Sequence, residues 1–179
     1  GSGNVETLVE HFARANRQLL AVGSNGTLYQ IDSGSAVSKK TGLSNGRFQT
    51  TEFNGLTIFV NGADTPFSWN GSSASNLSIT LSDSASASTL KGVTTYKNRL
   101  YYFTGVDQNF YYSATVDTFQ GNFTKFPTGL VGTFGGNLIQ IGVLTVDGGE
   151  GQDDLLTLMM SSGEVLVYSG TDPSASSFA

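Results

Sequence analysis

Cysteine is absent from the 179 residues, and charge is scarce, with Asp, Glu, Lys and Arg making up only 13% of the chain. The first absence excludes a disulfide framework, a thiol nucleophile and a thiolate metal site. The second removes the Glu, Lys and Arg on which helix-rich proteins rely for their solvent faces. Only nine residues are Lys or Arg, and the formal net charge is −5. Tight nucleic-acid binding works through cations that displace counterions from phosphate, so no sequence-specific nucleic-acid binding is expected. A single histidine, His11, leaves a catalytic triad or a zinc site without alternatives, and nothing around it in sequence suggests either. No stretch of about 18 apolar residues occurs, so membrane insertion through a helix is not expected. The N-terminal residues lack the basic start and apolar run of a secretory signal, and Gly1-Ser2-Gly3 reads as a cloning remnant. No G-x-S-x-G elbow or G-x-x-x-x-G-K loop is present, and no glycine run has dinucleotide-binding spacing. No cofactor is implied.

What fills the space is Ser, Thr, Asn and 23 Gly, together with 12 Phe and 7 Tyr. Thr, Tyr, Phe and Val suit strands, whereas Gly and Asn suit turns, so the composition points to an all-β fold with ample core material. The length fits a single domain over residues 1–179, within which residues 1–4 read as a cloning remnant or a disordered end.

Asn-Gly is the strongest short signal for a two-residue hairpin, because both positions tolerate positive φ. It occurs at Asn25-Gly26, Asn45-Gly46, Asn54-Gly55, Asn61-Gly62 and Asn70-Gly71, among strand-like runs such as LLAV, TLYQI, LTIFV and PFSW. Lys97-Asn98 and Ser161-Ser162-Gly163 extend the same design between GVTTY and RLYYF and between LLTLMM and EVLVY. Within these runs both alternating faces are apolar, as in Leu100 and Tyr102 against Tyr101 and Phe103, or Val165 and Val167 against Leu166 and Tyr168. Each sheet is therefore expected to be covered on both sides, as in sandwiches or neighbouring propeller blades. The hairpin tips recur at uneven intervals on the order of 40–50 residues, the length of a blade. Val5, Leu8, Val9 and Phe12 also fit helical spacing, but with everything downstream reading as β we expect VETLVEHF to be a strand. The Ser/Ala-rich run from Gly71 to Thr89 is expected to be a loop with one short strand around Leu77–Leu81.

Three groups of residues are candidates for chemistry. Asp147, Glu150, Asp153 and Asp154 lie in the Gly-rich run VDGGEGQDD and offer oxygen ligands that would suit calcium. They lack the D-x-D-x-D-G spacing of a calcium loop, and a mobile turn does not hold two carboxylates at glycosidase distance. Trp69, Tyr96, Tyr101, Tyr102, Tyr111 and Tyr112 would make a sugar-stacking platform if exposed, although aromatic residues in strands usually fill cores. Sequons at Asn25, Asn70, Asn76 and Asn122 arise readily in a chain so rich in Ser, Thr and Asn.

Taken together, FVNGADTPFSWNG (59–71), GVTTYKNRLYYF (92–103) and VLTVDGGEGQDDLLTLMMSSGEVLVYSGTDPS (143–174) resemble a family of short-tailed phage tail proteins with a propeller-like β fold. The shared features are an N-G-x-D-x-P turn, a K-N-R-L-[FY] strand start, a T-x-D-G-G-x-G-x-D-D loop and a closing S-x-G-E-V-x-V-Y-x-G-T-D-P block, in that order. The resemblance runs from about Val5 onward and is loosest in the N-terminal third. It implies a virion component of the tail nozzle or head-to-tail connector, assembled in the host cytoplasm as a homo-oligomeric ring around the genome's path, with other tail or connector proteins as partners. It implies no active site and no enzyme activity. It also implies a longer chain, of which these residues form an incomplete propeller. The alternative is a carbohydrate-binding tail or adhesin module built on Trp69, Tyr101, Tyr111 and Tyr112.

Overall fold

The computed structural model describes residues 3–13, 16–32, 34–147 and 152–178. It is an all-β structure of four sheets that succeed one another in chain order. The first sheet is the antiparallel meander β1 (Val5–Ala13), β2 (Asn16–Gly23), β3 (Thr27–Gln30) and β4 (Val37–Lys40). The second repeats the plan with β5 (Gln49–Phe53), β6 (Leu56–Val60), β7 (Phe67–Trp69) and β8 (Ala74–Asn76). The third contains β10 (Gly92–Tyr96), β11 (Arg99–Phe103), β12 (Phe110–Ser113) and β13 (Gly121–Phe126), and β9 (Ile79–Leu81) joins it in parallel beside β13. The fourth is β14 (Leu138–Asp147), β15 (Gln152–Met160) and β16 (Val165–Tyr168).

Turn chemistry explains most of this meander. Asn54-Gly55 closes β5 onto β6 with Phe53 opposite Leu56, and Lys97-Asn98 closes β10 onto β11 with both residues at positive φ, 44° and 59°. Asn25-Gly26 and Asn70-Gly71 also join adjacent strands. The other two Asn-Gly pairs do not form two-residue hairpin turns. At Asn45-Gly46 the glycine amide donates to the Glu6 carboxylate of β1 (2.9 Å), which ties the link between sheets to the first strand. At Asn61-Gly62 the side-chain oxygen accepts from the amides of Ala63 and Asp64, so the chain makes an Asx turn and a longer connection to β7. The N-terminal segment is a strand, and the serine-rich run contains two short strands, β8 and β9, rather than one.

The four sheets stack face to face through three apolar layers. Leu20, Val22 and Leu28 of the first sheet meet Phe59, Phe67 and Trp69 of the second. The other face of the second sheet, with Ile58 and Val60, meets Leu100, Tyr102, Tyr111 and Phe123 of the third. Tyr101, Phe103, Phe110 and Tyr112 on the far face of the third sheet meet Leu138, Ile141, Leu156 and Tyr168 of the fourth. Each such fully buried Phe or Leu contributes roughly 2–3 kcal/mol, which makes the aromatic layers the main source of stability.

Two-sided coverage holds for the two middle sheets only. On the fourth sheet Met159, Val165 and Val167 are 42%, 55% and 47% exposed, although their strand neighbours Leu158 and Tyr168 are buried. On the first sheet Leu8 and Phe12 are likewise exposed. Apolar residues on both faces of a strand mark burial inside the stack, but at its two ends the same pattern leaves one face open.

The first and fourth sheets are built alike. Each opens with a long hairpin that carries a bulge at the same place, between Val5 and Thr7 and between Leu138 and Gln140. The amide of Asn4 donates to Ser24 Oγ at 3.0 Å, and the amide of Asn137 donates to Ser161 Oγ at 2.9 Å. The return bonds, Ser24 N to Asn4 O and Ser161 N to Asn137 O, are both 2.8 Å. Gly26 and Gly163, both at positive φ, close the following turns with equivalent bonds to Gly23 O and Met160 O.

Candidate functional site

Two features of the chain bring polar groups together: a seam where the first strands of the sheets adjoin, and a set of joints between sheets. In the seam, Thr51 and Thr95 hydroxyls lie 3.1 Å apart, and Thr95 also donates to Glu52 O. Thr94 donates to Ile141 O at 3.3 Å, and Gln49 Nε2 reaches across β10 to Gln140 Oε1 at 2.9 Å. Thr7 of β1 donates to Gly46 O and accepts from the Phe48 amide. Short neutral side chains suit this position, since they satisfy one another without placing charge between closely spaced strands. At one end of the seam an open groove of about 680 Å3 is lined by Glu6, Arg47, Gln49, Asn61 and Lys91, and two of these, Glu6 and Arg47, already pair at 3.6 Å.

The strongest joint links the third sheet to the segment that follows β16. Arg99 has a side chain only 7% exposed, and it donates to Ser113 O (2.7 Å), Ala114 O (2.6 Å), Thr171 O (3.3 Å) and Asp172 Oδ2 (2.7 Å). Asp172 in turn accepts from the amide and hydroxyl of Ser174; these bonds, with help from Arg99 and against a smaller effect of burial, hold its carboxyl below the ordinary range. The Tyr96 hydroxyl lies 2.9 Å from the carbonyls of both Asp154 and Gly170. Two of the sequence motifs, K-N-R-L and G-T-D-P, are thus two halves of one joint. The N-G-x-D motif makes another: Asp64 accepts from Ser44 N, Ser44 Oγ and Asn61 Nδ2, and these bonds together with Lys40 outweigh burial and hold its carboxyl low.

His11 is fully buried between the first two sheets. Thr57 Oγ1 donates to Glu52 Oε1 at 2.5 Å, so it accepts from His11 Nδ1, 2.7 Å away, and His11 Nε2 has no hydrogen-bond partner among the described residues. The neighbouring Gln18 accepts from Trp69 Nε1 and donates to Gly71 O. His11 therefore orients one sheet on another through a polar network, and it has no open space in front of it.

The other sequence candidates do not converge on a ligand site. Glu150 lies outside the described residues, as do the side chains of Asp147 and Asp153, while Asp154 accepts from Thr145 Oγ1 at 2.8 Å. Among the described residues no group of three His, Asp or Glu could hold a metal ion. Trp69, Tyr101, Tyr102, Tyr111 and Tyr112 are all buried in the layers between sheets, so no ring face is available for a sugar to stack on. Tyr96 is buried as well. Burial pushes the Tyr101 and Tyr102 hydroxyls well above the usual phenol range, and neither has a hydrogen-bond partner among the described residues.

Sequence reasoning missed the seam and the Arg99–Asp172 joint. The one signal for the joint was an arginine placed directly after a tight turn, in a strand otherwise made of Leu, Tyr and Phe. Comparison of the chain with protein-family models, with curated proteins and with solved structures gave no match.

Proposed function

We propose that this chain is a non-enzymatic structural component of a short-tailed phage virion. In this reading it is a wall element of the tail nozzle or head-to-tail connector, and its sheets are blades of an incomplete propeller. The observation that carries the reading is the use made of the motif residues: Asp64, Arg99 and Asp172 are spent on joints between chain segments, and Asn61 on the turn that positions Asp64. Motif residues of an enzyme would instead converge on a cleft with groups free to react. The adjoining first strands and the face-to-face stacking support a propeller-like arrangement, which requires both. The charge of −5 supports a passage that DNA can slide through, because a wall with few cations repels phosphate and does not hold it. The partners in this reading are further copies of the chain and neighbouring tail proteins. The rings of the glycan-binding alternative, Trp69, Tyr101, Tyr111 and Tyr112, are all buried, which counts against it.

The test is the mass of the assembled particle by light scattering under native conditions, with the protein purified together with neighbouring tail proteins. A discrete ring is expected. A chain that stays monomeric with every one of them would sink the assembly reading, and strong affinity for duplex DNA at physiological salt would sink the sliding wall.

A further inference from the structure

The likeness of the first and fourth sheets extends from their turns to their faces. Equivalent turns set Gly26 against Gly163, so Leu20, Val22, Leu28 and Gln30 correspond to Thr157, Met159, Val165 and Val167. The cross-strand partners agree: Leu20 opposite Gln30 matches Thr157 opposite Val167, and Val22 opposite Leu28 matches Met159 opposite Val165. In the first sheet this face is covered by the second sheet, with Leu20, Val22 and Leu28 completely buried under Phe59, Phe67 and Trp69. In the fourth sheet the equivalent face is open, and the four residues on it are uncharged. The opposite faces agree as well. Leu156, Leu158 and Tyr168, which pack on the third sheet, correspond to Leu19, Ala21 and Ile31, on the side of the first sheet turned away from the second, where Ala21 is buried and the other two are half-buried.

We infer that the open face of the fourth sheet, carrying Met159, Val165 and Val167, is a docking face for another antiparallel sheet with an aromatic surface of the kind the second sheet presents through Phe59, Phe67 and Trp69. An equivalent of this interface is already present in the molecule, between the first and second sheets. The same register, bulge and turn set out an equivalent face, and the first of the two copies of that face shows what covers it. A second sheet of this kind would accept Met159 and Val165 where Val22 and Leu28 now sit, and none of the four residues carries a charge into the contact. The inference rests on the propeller part of the proposed function and is independent of its phage and DNA parts.

The full chain extended after Ala179 by a short Gly/Ser linker and a second copy of residues 41–135 supplies such a sheet within the same molecule. Amide exchange over residues 157–168 is expected to slow at least tenfold relative to the 179-residue chain, and Met159→Asp is expected to abolish that protection. In the 179-residue chain the same substitution is expected to leave the melting temperature within about 2 °C, whereas Val22→Asp, at the equivalent covered position, unfolds the first sheet. Unchanged exchange in a folded extension overturns the inference. If the extension does not fold, a graft in the 179-residue chain decides. Val22→Met, Leu28→Val and Gln30→Val place the open-face residues under the existing second sheet, where protection of β1–β3 should stay within threefold, and its loss overturns the inference. If the 179-residue chain alone self-associates and Met159→Asp restores the monomer, the occupant is a second copy and the inference fails in that form. A chain that protects the face but never forms a ring with tail proteins would reject the proposed function and leave this inference standing.

Discussion

Removing the Arg99 guanidinium should be among the most damaging single changes in the molecule. Breaking a buried ion pair by deleting one partner costs about 3–5 kcal/mol, because the remaining charge stays desolvated. Here the remaining charge, Asp172, is 34% exposed and partly rehydrates, which pulls the cost toward the lower end. The Ser113 carbonyl pulls it back up, since its bond to Arg99 is fully buried and loses its donor at about 1 kcal/mol or more. Arg99→Ala is therefore expected to cost about 3–5 kcal/mol, a large share of the 5–15 kcal/mol typical of a domain. Arg99→Lys keeps the charge but cannot reach three carbonyls and a carboxylate at once, and about 2 kcal/mol is expected. Asp172→Ala leaves Arg99 its carbonyl acceptors at a partly solvated edge, and about 1–2 kcal/mol follows. Urea unfolding followed by circular dichroism measures all three, and the double variant gives the coupling between the two residues. If Arg99→Ala costs less than about 1 kcal/mol, or no more than Asp172→Ala, the joint does not hold the segment after β16 to the third sheet.

Three further outcomes are expected. In Gly92→Ala the added carbon would lie 2.0 Å from the buried Phe103 ring, so a loss of about 3 kcal/mol should appear in the same assay; Gly55→Ala, with open space around it, should show only the strain of positive φ, about 1 kcal/mol. Tyr102→Phe removes a buried hydroxyl that has no partner, so the unfolding midpoint should hold or rise, and a fall equivalent to more than about 1 kcal/mol would mean the hydroxyl is bonded. Asp64 and Asp172 are held below their ordinary carboxyl values, so the stability they add is complete above those values and is lost as pH falls through the lowered ones. Urea midpoints should therefore be level from pH 7 to about 5 and drop below about pH 4, and the drop should be shallower in Asp64→Asn.

The meander was legible because its turns are written locally. Asn54-Gly55 and Lys97-Asn98 need positive φ and the sequence supplies residues that accept it. Which sheets would have an open face was not legible, because Val165 and Val167 alternate with Leu166 and Tyr168 in the same way as the residues of a covered strand. The likeness between the first and fourth sheets was hidden for a related reason. It resides in backbone bonds and one bulge, and few residues repeat, among them Asn4 with Asn137, Leu19 with Leu156, Ser24 with Ser161 and Gly26 with Gly163. The aromatic candidates were readable as core because strands of this kind bury their rings, whereas the destination of Arg99 depends on a segment more than 70 residues downstream.

The strand β9 precedes the third sheet in the chain yet lies along its far edge, parallel to β13, through Gly121 N to Ser78 O (2.7 Å) and Ser82 N to Phe123 O (3.0 Å). Tension applied along the chain would pull these two strands lengthwise past each other, so their bonds would have to break together, whereas an antiparallel hairpin opens one bond at a time. Under such a pull this strand is a clasp loaded in shear.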